Sequence, residues 1–287
     1  MNPIFIKLGP LEIRYYGLMY AISFLIAIYY GQIWAEKKGI KKELFENFSF
    51  IAIISGILGA RIYYVLLSFD YYIENPLDII AIWKGGLAIH GGIIGGFLGA
   101  YFYAKSKKIS LWDLTDISAP FLLLGQGIGR IGNFMNGEVH GVPTFTPMNI
   151  IFSTSNKFTQ WYNQYLNSSL DIQANFKELV PWGVVFPESS PAGSEFPNIP
   201  VHPAMLYEMI LNFIGFSILY YLYKKKNLNK GLVTMAYIVI YAINRSFVSF
   251  FRAEDLMIYG LRAPHLISII MIIVAAIGFT LLNRKKG

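Results

Sequence analysis

Cysteine is absent from the 287-residue chain. Its absence excludes disulfides, a thiolate metal site and a cysteine nucleophile. Charge is scarce too. Asp, Glu, Lys and Arg make up 14% of the residues, where a soluble domain carries about 25%. That shortage excludes a disordered chain, a nucleic-acid-binding tail and an ordinary soluble enzyme. Apolar residues fill the gap: 55% are hydrophobic and 16% aromatic, and the mean hydropathy is +0.46. Together with 26 glycines, this is the composition of helices in lipid with aromatic belts at the interfaces.

A spanning helix needs about 20 mostly apolar residues. Seven stretches qualify: Tyr16–Trp34, Phe48–Leu67, Gly85–Ala104, Ile117–Gly137, Pro203–Tyr223, Gly231–Phe251 and Ala263–Asn283. The third and fourth are rich in glycine, which suits broken or re-entrant helices. The first run is too long for a cleavable signal peptide and lacks its usual basic start, so it is expected to be a span. No fixed-period repeat and no low-complexity tract interrupts the pattern. The expected fold is an all-α polytopic membrane protein forming one domain. Residues 142–201 link spans four and five. Polar and aromatic, with five prolines from Pro181 to Pro200, they are long enough for a small external head.

Basic residues orient this arrangement. Lys37, Lys38, Lys41 and Lys42 follow span one, and Lys105, Lys107 and Lys108 follow span three. Lys224, Lys225, Lys226 and Lys230 follow span five, and Arg284, Lys285 and Lys286 follow span seven. In an alternating seven-span chain all lie on one side, and short basic loops stay cytoplasmic. The N-terminus is therefore expected outside, the C-terminus inside and the 142–201 segment outside. The formal charge of +7 then reports topology, and no nucleic-acid partner is needed to explain it.

Arg61, Arg130 and Arg245 fall inside expected spans, each costing about 2.5–3.5 kcal/mol at a bilayer centre. The orientation puts all three in the outer halves of their spans, with Arg252 and Arg262 just beyond, at the outer surface. His90, His140, His202 and His265 are also expected outward. Cations buried in the outer leaflet suit an anion, and a phospholipid phosphate is the anion at hand; a guanidinium fork matches its oxygens. An ion pair with a neighbouring helix, or a snorkelling side chain, explains Arg61 equally well.

Arg130 has the richest surroundings, in the run Gly125-Gln126-Gly127-Ile128-Gly129-Arg130-Ile131-Gly132-Asn133-Phe134-Met135-Asn136-Gly137-Glu138. Arg130, Asn133 and Gly137 share a helix face. The glycines admit either a ligand or a closely packed helix. Tyr241 and Arg245 are one turn apart, with Arg252 seven residues on; Tyr241 could orient Arg245 or move a proton. His90 stands between Gly85-Gly86 and Gly91-Gly92, placed for a close-approaching ligand. Glu208 is an intramembrane carboxylate expected to pair with one of the arginines.

These segments resemble one family, the prolipoprotein diacylglyceryl transferases of bacteria. The resemblance is carried by Tyr15–Tyr20, His90-Gly91-Gly92, the Gly125–Gly141 stretch, His202-Pro203 through Tyr207-Glu208, and Tyr241 through Arg245. They occur in family order, and the match spans residues 10–283 apart from the external segment. The resemblance implies a transferase in the bacterial cytoplasmic (inner) membrane, its site facing outward. It implies two partners: phosphatidylglycerol, a membrane lipid, and a prolipoprotein signal peptide with a lipobox cysteine. Diacylglyceryl moves to the thiol, a thioether forms and glycerol phosphate leaves, as the first step of lipoprotein maturation. It further implies that Arg130 and Arg245 hold the lipid headgroup and that His90 or Tyr241 is the base. Tyr16, Asn133, Glu138, Gly141 and Arg252 match substrate-contacting positions. With arginines on the phosphate, no metal and no cofactor is called for. Three positions depart from the family pattern: His140 where an aromatic is common, Ser249 where a carboxylate is common, and His265 where Gln is common. A transporter or flippase for an anionic lipid is the rival reading. It would also want arginines in a cavity, but internal repeats and a midplane site are more usual there.

Overall fold

The computed structural model describes residues 3–9, 11–169, 172–173, 180–225, 228–253, 255–258 and 260–284. Lys226, Lys285 and Lys286, used above to orient the chain, lie outside the described residues, as do residues 170–171 and 174–179 of the expected head.

Seven long helices stand where the seven spans are expected: α1 (Tyr15–Lys37), α2 (Lys42–Leu67), α4 (Ile89–Ser106), α5 (Leu111–Asn136), α9 (Ala204–Lys224), α10 (Leu232–Phe251) and α11 (Ala263–Arg284). Among the described residues five are long and apolar enough to cross a membrane: α1, α2, α9, α10 and α11. Large apolar side chains face outward along them, as Ile267, Ile270, Ile273, Val274, Ile277 and Leu281 do on α11. A water-facing helix would turn such a surface inward; in lipid it needs no cover. The chain is thus an α-helical membrane protein. The glycine-rich α4 and α5, whose composition also suits broken or re-entrant helices, are continuous. Gly85 and Gly86 take left-handed φ values of 87° and 74°, so α4 starts four residues later than the hydropathy suggests.

The chain divides into two compact units. One comprises residues 26–118. In it α2 and α4 pack through glycines on both sides: a Cβ on Gly59 would lie 2.9 Å from the Gly95 Cα, and one on Gly56 would lie 3.4 Å from the Gly92 carbonyl oxygen. Gly91 likewise abuts Gly59 and Tyr63. The glycines after His90 therefore serve close helix packing, where a ligand approach was expected. Between the two helices run α3 (Phe69–Glu74) and two 3-10 turns, Pro76–Ile80 and Ile82–Lys84.

The other unit comprises residues 1–25 and 119–287. It opens with a hairpin absent from the sequence reading, β1 (Ile4–Leu8) paired antiparallel with β2 (Leu11–Arg14) around Gly9. Its helical core joins Ala119, Leu123, Leu219 and Val233, with Phe216, Tyr237 and Ile240 against them. Residues from 142 to 201 supply short helices α6 (Met148–Ile151), α7 (Ser155–Leu166) and α8 (Pro191–Glu195). They share an apolar core of Val142, Ile151, Phe158, Phe186, Phe196 and Val201, closed by Met205 of α9. Two-residue strands β3 (Met257–Ile258) and β4 (Leu261–Arg262) join α10 to α11.

Candidate active site

Arg130 lies near the end of α5, in the helix-capped unit of residues 1–25 and 119–287. Its guanidinium donates from Nη1 to Asn133 Oδ1 at 3.0 Å, one turn on, as the shared face predicts. Its Nη2 forms an ion pair with Glu208 of α9; Glu208 is the carboxylate partner expected from the sequence. The third nitrogen, Nε, is buried and has no hydrogen-bond partner. Asn133 in turn donates to the Tyr16 hydroxyl of α1. Tyr16 donates to Glu138 Oε2 at 2.5 Å, and Asn136 to Glu138 Oε1 at 3.3 Å. The backbone reverses to bring Glu138 there: Gly137 has φ 67° and Val139 φ 60°. For a β-branched residue that conformation is strained and persists only where its surroundings hold it.

The second arginine group is built on α10 and the segment after it. Arg245 Nη2 donates to Asp255 Oδ1 at 2.9 Å, and its Nη1 is buried without a partner. Arg252 Nε lies 3.6 Å from the same Oδ1. Ser249 donates its hydroxyl to Asp255 Oδ2. Arg262, expected at the outer surface, is buried instead; it donates to the carbonyls of Ser249 and of Arg252, the latter at 3.0 Å. Nearby, Ser246 Oγ and His265 Nδ1 are 2.8 Å apart. Asp255 was missed in the sequence because it lies outside the spans. Its only signal is a position three residues after Arg252.

The two groups are electrostatically one. Tyr241 lies within reach of the charges on Glu208, Arg245, Arg130 and Arg252. Arg252 in turn feels Arg245, Asp255, Glu208 and Arg130. Four guanidiniums, of Arg130, Arg245, Arg252 and Arg262, therefore meet three carboxylates, of Glu208, Glu138 and Asp255, leaving net positive charge and unpaired N–H donors. Such a cluster can take an anion with several oxygens. Gly141 sits where three segments meet. Its N–H donates to the His202 carbonyl at 2.8 Å, and a Cβ there would fall 2.7 Å from the Phe251 carbonyl oxygen. Packing alone accounts for the glycine.

Two histidines lie beside this junction. His140 is buried, its Nε2 2.9 Å from Glu195 Oε2. His202 is buried with Nδ1 2.9 Å from the Tyr207 hydroxyl, which accepts from Trp182 Nε1 at 2.7 Å. Burial pushes the His202 imidazole down to about 4.

His90 and Arg61 belong to the unit of residues 26–118. His90, in the first turn of α4, is exposed, with its ring 6.2 Å from that of Tyr63. Arg61 is buried and fully partnered. Its Nε donates to the Ile79 carbonyl at 2.8 Å, its Nη1 to those of Gly85 and Gly86 at 2.7 and 2.9 Å, and its Nη2 to that of Asp78. Tyr72 covers its face at 5.2 Å. Neither an ion pair nor a snorkelling side chain describes Arg61: it caps the irregular backbone between α2 and α4. It also lines a cavity of about 330 Å³ with Tyr64, Ser68 and Tyr71.

These features define a class, a helical membrane protein with an arginine-rich, carboxylate-braced cluster. Residues 3–281 match the family described as Prolipoprotein diacylglyceryl transferase, and the chain belongs to that family. A relative from Fusobacterium nucleatum is 55% identical over 100% of this chain and 99% of its own length. Relatives from Lysinibacillus sphaericus and Bacillus velezensis are 37% and 35% identical, covering 100% of this chain and 93% and 94% of their own. All three carry the name phosphatidylglycerol–prolipoprotein diacylglyceryl transferase.

Proposed function

We propose that the chain transfers the diacylglyceryl group of phosphatidylglycerol to the lipobox cysteine thiol of a prolipoprotein. The thiol sulfur attacks the glyceryl carbon that bears the phosphate. A C–S bond forms, the C–O bond to phosphate breaks, glycerol phosphate leaves and the thiol gives up its proton. The chemistry makes two demands: neutralising the charge that grows on the departing phosphate, and accepting a proton from a thiol whose ordinary pKa is about 8.5. One observation carries the reading: the buried, unpartnered N–H groups on Arg130 Nε and Arg245 Nη1 within a net positive cluster. They meet the first demand, so the reading calls for no metal or cofactor. Tyr16, Asn133, Glu138 and Arg252 hold the substrates around the two arginines.

The whole chain acts as one catalytic domain of the bacterial inner membrane. It crosses seven times, N-terminus outside and C-terminus in the cytoplasm, with the site and the 142–201 head on the outer side. The seven long helices and the alternation of the lysine clusters support this topology. His90 is the base, since an imidazole nitrogen can accept a proton and the residue is exposed. A second assignment, Tyr241, is favoured by that residue's place among the arginines.

The test is transfer of labelled diacylglyceryl from phosphatidylglycerol to a lipobox peptide by purified protein. Absence of transfer would overturn the function. The base is tested with a second peptide whose thiol has a low pKa and is already ionised. His90→Gln is expected to lose much less rate with that peptide than with the ordinary one. Equal losses on both would make His90 a binding residue and move the base to Tyr241.

A further inference from the structure

Asp255 carries more than its share of the cluster. Its side chain is 2% exposed, yet three guanidiniums converge on it: Arg245 at 2.9 Å, Arg252 at 3.6 Å and Arg262 at 3.8 Å. The Ser249 hydroxyl donates to it as well. Among the described residues no other carboxylate is paired with Arg245 or Arg252. Like charges this close, with little water, drive each other apart unless something holds them. Arg262 is tied to two backbone carbonyls, so the carboxylate chiefly governs Arg245 and Arg252. By fixing Arg245 Nη2, it fixes where the unpartnered Nη1 can go.

The charge count matters as much as the geometry. One carboxylate among three arginines restrains them while leaving a positive excess for an anion. None would let them scatter; a second would halve the excess. We propose that Asp255 is a positioning residue for the transfer reaction, its single negative charge holding Arg245 and Arg252 in place for the departing phosphate. The proposal rests on the transferase reading above.

Ser249 offers a test of charge count. It lies four residues after Arg245 and three before Arg252, so an aspartate there reaches both arginines from the helix. Asp255→Asn, Ser249→Asp and the double variant are compared with wild type, with kcat and KM for phosphatidylglycerol measured separately. Asp255→Asn should lower kcat/KM about 30-fold or more, because a buried charge group loses its partner. Ser249→Asp should raise KM about tenfold as the site approaches neutrality. The double variant restores one carboxylate and should return to within about fivefold of wild type, above both single variants.

Asp255→Asn within about threefold of wild type, or a double variant no better than the product of the two single losses, would overturn the proposal. If Asp255→Asn fails to fold, the double variant decides against Ser249→Asp alone: faster supports the proposal, slower overturns it. Failure of the double variant to fold as well would make Asp255 a folding residue and overturn it too. A wild-type protein without transfer activity would instead refute the function itself, a result visible before any variant is made.

Discussion

Arg61 and Arg130 are each the one arginine between the ends of a glycine-containing helix, but the structure treats them differently. Arg61 spends every nitrogen on backbone carbonyls. Its partners are neutral and numerous, and they belong to chain that is not helical and needs donors. Arg130 is held by one amide and one carboxylate, and keeps Nε over. A guanidinium closed by carbonyls is a fastener. One braced by a carboxylate, with a donor to spare, still has a hydrogen bond to make. The partner set, more than burial, separates architecture from chemistry here.

The largest effect that tests this contrast is expected at Arg130. Arg130→Ala should lower transfer about a hundredfold or more while the protein remains folded and inserted. Arg130→Lys should recover little, since a point charge does not replace a fork. Full activity in Arg130→Ala would place Arg130 with Arg61. Arg61→Gln should show the reverse pattern. Losing buried hydrogen bonds of about 1–3 kcal/mol each should lower thermal stability in detergent by roughly 5 °C or more. Activity per folded molecule should stay within about twofold. Lost activity at unchanged stability would break the contrast from the other side.

The smallest effect is pH-dependent and belongs to neither arginine. His202 has its pKa pushed down to about 4 by burial, from an ordinary value near 6.5. Between those values the unfolded chain binds a proton that the folded one does not. Stability is therefore complete above pH 6.5, is lost as pH falls, and by pH 4 the loss is up to about 3 kcal/mol. Melting temperatures recorded from pH 7 to pH 4 should fall less in His202→Asn than in wild type. Parallel curves would show that His202 does not titrate this way.

Much of this was legible in residue order. Seven long helices fall where the apolar runs are, and for the five that are long and apolar enough to cross a membrane lipid leaves no choice but a satisfied backbone. Glu208 was recognisable as a partner for an arginine, since a carboxylate inside a span demands a cation. The pairing of Arg130 with Asn133 followed from helix spacing. What was not legible depends on chain outside the spans. Asp255 and the carbonyls around Arg61 sit in connecting segments whose path no periodicity reveals. The glycines beside His90 were ambiguous by nature: one composition serves a ligand and a neighbouring helix, and the structure shows α2 against Gly91 and Gly95. The N-terminal hairpin was hidden because its five- and four-residue strands are too short to stand out beside a spanning run.

The separations along the chain impose a timetable during synthesis. Arg245 meets Asp255 ten residues later, and Arg61 meets its carbonyls within 25. Arg130 waits 78 residues for Glu208. At about 5–20 residues per second, that is roughly 4–16 s in which a guanidinium inside a helix has no carboxylate. The helix that carries it is one of the two long helices too polar to count as an autonomous span. That helix therefore lacks its carboxylate until α9 follows, and of the three arginine pairings this one closes over the longest stretch of chain.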